Sequence, residues 1–522
     1  MSRLFCTLVM FTFILSGCGE VNLPVLQSAT NTPAPTATPA PTATPAYPEV
    51  TGPEPSERVA AFYYPWYGNP DTDDNWIHWE EGNKNPPLDI SSDYYPVLGP
   101  YSSADREVVA QHFAWLRAAG VGLVITSWWG PGSNTDKLVP LLLEMGERYG
   151  IKVAFLIEST AARTSKYLLI DVQYIYQRYG DHPAFFRTSQ GSLWSSSEKP
   201  QGLFLMWGVR FEFEGGEPVG PDHWREVMDQ IHALPEGGLM IGDETSAEWV
   251  TTGHFDGVYN YGFLDVDMAQ NYSYAKALPR GAWYIPGINP GFIRTHSMGY
   301  EDNTLTPRRN GEAYAERWQA MFETGVEPQM VAITTFNEWH EGTQIEPAVA
   351  GANNGAGFNY SDYESLPPDG YITLTRQWVE TFLAHAWPEE RLTRFRVVTT
   401  SDWTAFTLAE GGSFRQPTVV SASEEALNTG MEGDCLVLTQ PLERAETGQP
   451  VEMVVEVSLT VDVGDAPLIF TIARGGLGYT QLEIMDLSQG EPVLLATLVW
   501  DGWAGNEDNS RQFEVAVEML DE

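Results

Sequence analysis

Eight short runs of apolar, β-type residues recur along the middle of the chain: Val59–Tyr67, Val121–Trp129, Lys152–Ser159, Gly202–Val209, Gly238–Glu244, Phe255–Phe263, Ala282–Pro290 and Met330–Trp339. Most are nearly continuous in apolar residues. A strand with one wet face alternates apolar and polar side chains, whereas a strand covered on both faces does not. Longer stretches lie between most of the runs. In Ala104–Ala119 the apolar positions Val108, Val109, Phe113, Leu116 and Ala119 fall at helical spacing. Asp136–Tyr149, Lys166–Tyr179 and Gly311–Thr324 each stop at a glycine (Gly150, Gly180, Gly325), and Tyr371–Trp387 follows the eighth run. Doubly buried strands alternating with helices predict an α/β fold, a (β/α)8 TIM-type barrel over residues 57–390. Its thinnest units are strand five and the stretch after strand six, where the helices look short.

The texture changes after Trp387. Residues 395–522 carry Phe395–Thr399, Cys435–Thr439, Val451–Val461, Pro467–Ile472 and Phe513–Val517, several alternating with period two and separated by turn residues. This predicts a separate C-terminal antiparallel β-sandwich. Carbohydrate binding and plain packing are both open roles for it.

The N-terminal end reads as targeting sequence. One positive residue, Arg3, precedes the apolar run Leu4–Leu15, which is short for a membrane span and fits a signal-peptide core (residues 1–17). Leu15-Ser16-Gly17-Cys18 resembles a bacterial lipobox, which implies cleavage before Cys18 and lipidation of that residue. A plain secretory signal with a chance cysteine is the alternative. Residues 18–56 then form a linker in which Thr32–Pro45 reads TPAPTATPAPTATP. Proline at that density favours an extended, semi-rigid tether. Leader, anchor and stalk predict a protein held at the extracellular face of a bacterial envelope, touching membrane only through Cys18.

Charge narrows the partners. Against 29 Lys and Arg stand 70 Asp and Glu, a formal charge of −41. Such a surface repels phosphate backbones, so no nucleic-acid partner is expected. Cys6 lies in the leader and Cys18 has its own explanation, so Cys435 is left over and no disulfide framework is possible. The 18 Trp, 23 Tyr and 23 Phe fit a surface or cleft whose rings stack on the C–H faces of sugars, although ordinary core packing accounts for most of them.

In a barrel of this kind the active site is built where strands end and loops begin. Those ends hold Tyr63, Tyr64, Trp66, Tyr67 and His78 after strand one, Trp128 and Trp129 after strand two, and Glu158 after strand three. Strand four gives Trp207 and Arg210, strand five Asp243 and Glu244, strand six Tyr259, Asn260 and Tyr261, and strand seven Asn289 and Arg294. Strand eight runs into Phe336-Asn337-Glu338-Trp339-His340-Glu341-Gly342. Aromatic walls with carboxylates at one barrel end describe a carbohydrate cleft. Glycoside cleavage needs two carboxyl groups about one bond. Glu338 and Glu341 are three apart, so a turn between them is required for both to face one cleft. Proximity and burial then raise the pKa of one, suiting it to act as acid.

The chain resembles glycoside hydrolase family 99, the endo-acting α-mannosidases. The resemblance rests on AFYYPWYGNP at 61–70, His78-Trp79, Trp128-Trp129, YGDHPAFFR at 179–187, FDGVYNY at 255–261, RNGEAYAERW at 309–318 and FNEWHEGTQIEPA at 336–348. It implies a retaining (β/α)8 hydrolase of α-1,2-mannan-like linkages, acting on an oligo- or polysaccharide. Carried over, Glu338 is the base that takes the 2-hydroxyl proton, and the sugar's own oxygen attacks the anomeric carbon. Glu341 protonates the leaving oxygen and later deprotonates water. Tyr64, Tyr67, His78, Trp129, Glu158, Trp207, Tyr259, Tyr261, Asn289, Arg294 and Trp339 are the implied substrate contacts. Three segments depart from the family pattern: Ile157-Glu158-Ser159-Thr160, Met206-Trp207 and PGINPGFIR at 286–294. They line subsites, so the chemistry is better supported than the mannan preference.

Plainer roles exist for each residue. Glu338 and Glu341 can be a structural pair, Glu158 a salt-bridge partner of Arg163, and His78 a core histidine. The nine histidines show no His-x-x-x-His spacing and no His–Cys cluster, so neither metal nor cofactor is expected. Gly130-Pro131-Gly132 and Gly351–Gly357 lack the context of a phosphate loop. A non-catalytic glycan-binding lipoprotein and a barrel hydrolase on another α-glycan are the competing functions.

Overall fold

The computed structural model describes residues 47–160, 164–213, 215–261, 272, 274–297 and 306–408, and in the C-terminal part 412–414, 417–423, 427–432, 435–440, 445–461, 468–475, 478–487, 492–502 and 510–515. The leader, Cys18, most of the proline-rich linker and Arg163 lie outside the described residues.

All eight expected barrel strands form, trimmed at their ends. They are β1 (Ser56–Tyr63), β2 (Val121–Trp128), β3 (Lys152–Ile157), a two-residue β4 (Arg187–Thr188) antiparallel to the next, β5 (Gln201–Met206), β6 (Leu239–Asp243), β7 (Gly257–Tyr259), β8 (Trp283–Ile285), β9 (Gly287–Ile288) and β10 (Val331–Ile333). The ladders run β8-β7-β6-β5-β3-β2-β1-β10-β9, parallel throughout. β8 and β9 are two halves of the seventh run, broken at Pro286. Proline has no N–H for a ladder, so the first half pairs with β7 and the second with β10. The ring closes through that one interrupted strand. Gly287 permits it, because a Cβ there would sit 1.9 Å from the Asn260 carbonyl.

Every residue of β2 and of β5 is buried, as the unbroken apolar runs require. The helices begin and end where their caps dictate. Asp105 accepts from the Glu107 N–H ahead of Arg106–Ala119, which stops at left-handed Gly120. Ser133 and Thr164 cap Asn134–Tyr149 and Ser165–Tyr179 in the same way. The thin units stay thin: a four-residue helix, Glu248–Thr251, follows β6, and among the described residues a 3-10 turn, Tyr274–Ala277, is the regular element directly before β8.

The C-terminal part is two antiparallel sheets. One pairs Glu389–Thr399 with Val451–Val461 and Gly478–Asp486; the other centres on Trp403–Leu408, flanked by Cys435–Thr439 and Leu468–Arg474. Their inward residues, among them Phe395, Phe406, Phe414, Phe470 and Trp500, form a core of their own, distinct from the barrel's. The first strand starts six residues ahead of the expected Phe395.

Candidate active site

β10 ends at Ile333, and the next thirteen residues fold back on themselves. The Thr335 N–H donates to the Thr343 carbonyl (3.0 Å) and the Ile345 N–H to the Thr335 carbonyl (2.9 Å). Glu338 is fixed at both ends of its peptide: its N–H donates to Thr335 Oγ1 (2.8 Å), and its carboxylate accepts from the His340 N–H (3.0 Å). The chain then turns at Gly342, φ +61°, where a Cβ would lie 2.6 Å from Ile293. Arg308 clamps that turn. Its guanidinium sits among the rings of Tyr94, Tyr363 and Tyr371 (4.9, 4.8 and 4.5 Å) and donates to the carbonyls of Gly342 and Gln344 (2.9 and 2.6 Å).

This turn brings Glu338 and Glu341 to the same cleft, of about 530 Å³. Its aromatic lining is Tyr64, Trp66, Trp129, Trp207, Phe211 and Tyr261, with Glu158 as a third acid. Tyr64 and Tyr261 hydroxyls meet at 2.5 Å. Asn337 holds Tyr64 by both backbone groups, accepting from its N–H (2.8 Å) and donating to its carbonyl (3.0 Å). Glu158 accepts from Ser127 Oγ (2.7 Å), which also accepts from the Trp129 indole N–H (3.1 Å). A second hollow of about 340 Å³ shares Trp207, Gly208, Phe211 and Tyr261 with the first and adds Arg210, Asp243 and Glu244. Arg210 and Glu244 form an ion pair there, and burial pushes Asp243 up to about 7.

Burial also sets the electrostatics of the acid pair. It drives Glu338 well above the usual carboxylate range, reinforced by the charge of Glu341 and opposed by the His340 N–H. Burial raises Glu341 to about 7, with Arg294 pulling the other way. Burial thus favours the protonated form of both, and the charge of Glu341 couples its titration to that of Glu338.

The expected contacts divide into two groups. Tyr64, Trp129, Glu158, Trp207, Tyr261, Glu338 and Glu341 line the cleft, Arg294 acts on Glu341 by charge, and His78 stacks on Trp66 at 4.9 Å. The other four, Tyr67, Tyr259, Asn289 and Trp339, lie outside that lining and are at most 2 % exposed. Tyr67 instead accepts the Trp339 N–H (3.0 Å) and stacks on Trp79 (4.2 Å). The Tyr259 hydroxyl donates to the Met206 carbonyl (3.3 Å). The Trp339 indole N–H donates to Glu346 (3.0 Å), a fully buried acid that also accepts from Tyr101 (2.8 Å) and contacts His112 (3.1 Å). Sequence reasoning missed Phe211, Arg308 and Glu346. Phe211 was open to detection as an aromatic four residues beyond Trp207; the other two carry no local signal.

A barrel whose strand-end cleft combines aromatic walls with two buried carboxyls is the architecture of a glycoside hydrolase. The sequence profile of glycosyl hydrolase family 99 matches residues 56–384, and the chain belongs to that family. It is 33 % identical over 360 residues to a glycoprotein endo-alpha-1,2-mannosidase-like protein of Danio rerio, covering 62 % of this chain and 78 % of that one. It is likewise 33 % identical over 358 residues to the glycoprotein endo-alpha-1,2-mannosidase of Mus musculus (62 % and 74 %). The solved GH99 endo-alpha-mannosidase of Bacteroides thetaiotaomicron superposes with a TM-score of 0.54 at 32 % identity, over 63 % of this chain and 98 % of that one. The protein is a glycoside hydrolase.

Proposed function

We propose that the protein is a retaining endo-acting hydrolase of α-mannosidic, α-1,2-mannan-like linkages, with Glu338 as base toward the sugar 2-hydroxyl and Glu341 as acid, then base. The observation that carries this is the meeting of the two glutamates in one aromatic-lined cleft. The relatives' printed activities supply the sugar. The adjoining hollow supplies room for further rings, as an internal cut needs. Electrostatics add a condition: burial raises both glutamates, so Glu338 must give up its proton before it can act as base. The Glu338 carboxylate then accepts the 2-hydroxyl proton, while the Glu341 carboxyl donates to the glycosidic oxygen as its bond to the anomeric carbon breaks.

Yeast-type α-mannan and α-glucans, offered to wild type, Glu338→Gln and Glu341→Gln, test the substrate. Mannan is the expected substrate, and each variant should lose about 10²–10⁴-fold in rate. Greater activity on glucan overturns the sugar. Three equally inert proteins favour the glycan-binding alternative. A mannosyl fluoride, whose leaving group needs no acid, tests the roles: Glu341→Gln should cleave it and Glu338→Gln should not. The reverse result exchanges the two glutamates.

We further infer attachment through Cys18 at the extracellular face, from the leader, the lipobox-like motif and the proline-rich stretch. Cys18→Ala should move the protein from membrane to soluble fractions.

A further inference from the structure

His78, Glu81 and His340 bring one ligand atom each within 4.8 Å of one another. The geometry points to a site for a divalent transition-metal ion of the zinc class, formed by these three side chains and closing onto Glu338. That closure would make the metal an inhibitor, and this half of the proposal depends on Glu338 being the base.

The ligand set is built as such sites are. His340 Nε2 donates to the His78 carbonyl (2.9 Å), which leaves the Nδ1 lone pair facing inward. A metal-ligating imidazole is held in just this way, with its other nitrogen engaged by a carbonyl or carboxylate. From His340 Nδ1, Glu81 Oε2 lies 3.9 Å away and Glu338 Oε1 4.0 Å, both beyond hydrogen-bond reach. His340 Nδ1 thus faces Glu81 and Glu338 across a gap that a cation fills and a direct hydrogen bond does not, whereas Glu81 must release its short contact with His78 to join it. His78 Nδ1, 2.7 Å from Glu81 Oε1, completes the set. With metal bonds of about 2.0–2.2 Å, tetrahedral ligand atoms stand roughly 3.4 Å apart. The three ligand atoms need side-chain adjustment of about an ångström, and Glu338, whose Oε1 lies 4.0 Å from His340 Nδ1, must move in from outside the cluster to be the fourth ligand. Two imidazoles select zinc, nickel or copper over calcium or magnesium, which take oxygen. Entry is open, since the side chains of His78 and Glu81 are 30 % and 34 % exposed. Spacing along the chain could not reveal the site, because His78 and His340 are 262 residues apart. The expectation of no metal rested on local spacing alone.

Calorimetric titration of the purified chain with zinc chloride, in excess calcium to occupy scattered carboxylates, tests binding. One zinc per chain is expected, with affinity at least tenfold lower in Glu81→Gln and in His78→Ala. A melting curve checks that each variant is folded. No saturable site in excess calcium, or an affinity that neither variant changes, overturns the site. Calorimetry reads binding on any substrate hypothesis, so failure of the mannan assignment leaves this result standing. Where turnover is measurable, zinc should abolish it over the binding range, a chelator should restore it, and the folded Glu81→Gln variant should need at least tenfold more zinc. Stoichiometric zinc that leaves turnover unchanged overturns the contact with Glu338.

Discussion

Two loops line the same cleft and are held in opposite ways. From Thr334 to Ala348 every residue is buried except Glu341, which is half-buried. From Trp207 to Gly220, Val209 is the one buried residue among those described, and Phe211 is 40 % exposed. The first loop carries the acids and stands on a polar floor of Glu346, Tyr101, His112 and Trp339. The second carries rings on an open wall. Acid–base chemistry needs groups placed to within fractions of an ångström and tolerates no slack. Stacking on a sugar face asks only for area, and an exposed ring supplies it. On the proposed mechanism the contrast assigns chemistry to one loop and recognition to the other, and it can be broken at each side.

The largest effect should come from the floor. Glu346→Ala deprives the Tyr101 hydroxyl, the Trp339 indole and His112 of their shared buried acceptor. Removing one partner of a buried charged network costs about 3–5 kcal/mol. Denaturant unfolding should show a loss of that order, with kcat falling more than KM rises as Glu338 loses its seat. Glu346→Gln keeps an acceptor oxygen and should recover a good part of both. A Glu346→Ala protein as stable and active as wild type would mean that the floor does not hold the loop.

How far this contrast could be read from the chain depends on which interactions are local. The eight strands were legible because burial on both faces leaves unbroken apolar runs such as Val121–Trp128. Glu338 and Glu341 were legible from their motif at a strand end. The sorting of rings was not. Beyond Ile333 the chain leaves strand geometry, so period-two alternation no longer says which side chain faces inward, and Trp339 turned out to be floor where a wall residue was expected. Tyr67 and Tyr259 are buried too, since an aromatic at a strand end reads alike whether it faces the cleft or packs inward. The break at Pro286 was visible as a proline, but its consequence, one run pairing with two neighbours in turn, belongs to ring closure. Glu346, Arg308 and the His78–Glu81–His340 cluster join residues from distant segments, and no window on the sequence contains them.

An intermediate effect separates the acids from the rest of their loop. Burial raises Glu341 from an ordinary 4.5 to about 7. The folded state therefore binds more protons than the unfolded one between those values, and stability falls as pH rises through that window. Glu341→Gln removes the penalty. The variant should gain on wild type by about 3 kcal/mol at pH 8, with the difference fading toward pH 4.5. Paired melting curves across pH read it directly. Parallel curves would mean that Glu341 is not desolvated. The same pair should give kcat/KM a bell shape, since the cleft works with one proton and neither with two nor with none.

The smallest effect lies on the open wall. Trp129 is 40 % exposed in the free cleft, and its indole N–H donates to Ser127. Trp129→Ala removes a stacking face without emptying a core. Stability should stay within about 0.5 kcal/mol, as for surface substitutions. Binding should lose about 1 kcal/mol, read as a KM roughly fivefold higher with kcat little changed. Trp129→Phe, which keeps a ring, should restore most of the loss. A fall in kcat with KM intact would instead mean that the ring acts only in the transition state. It would then belong with Glu338 and Glu341, and the division between a chemical loop and a recognition wall would have to be redrawn through β2.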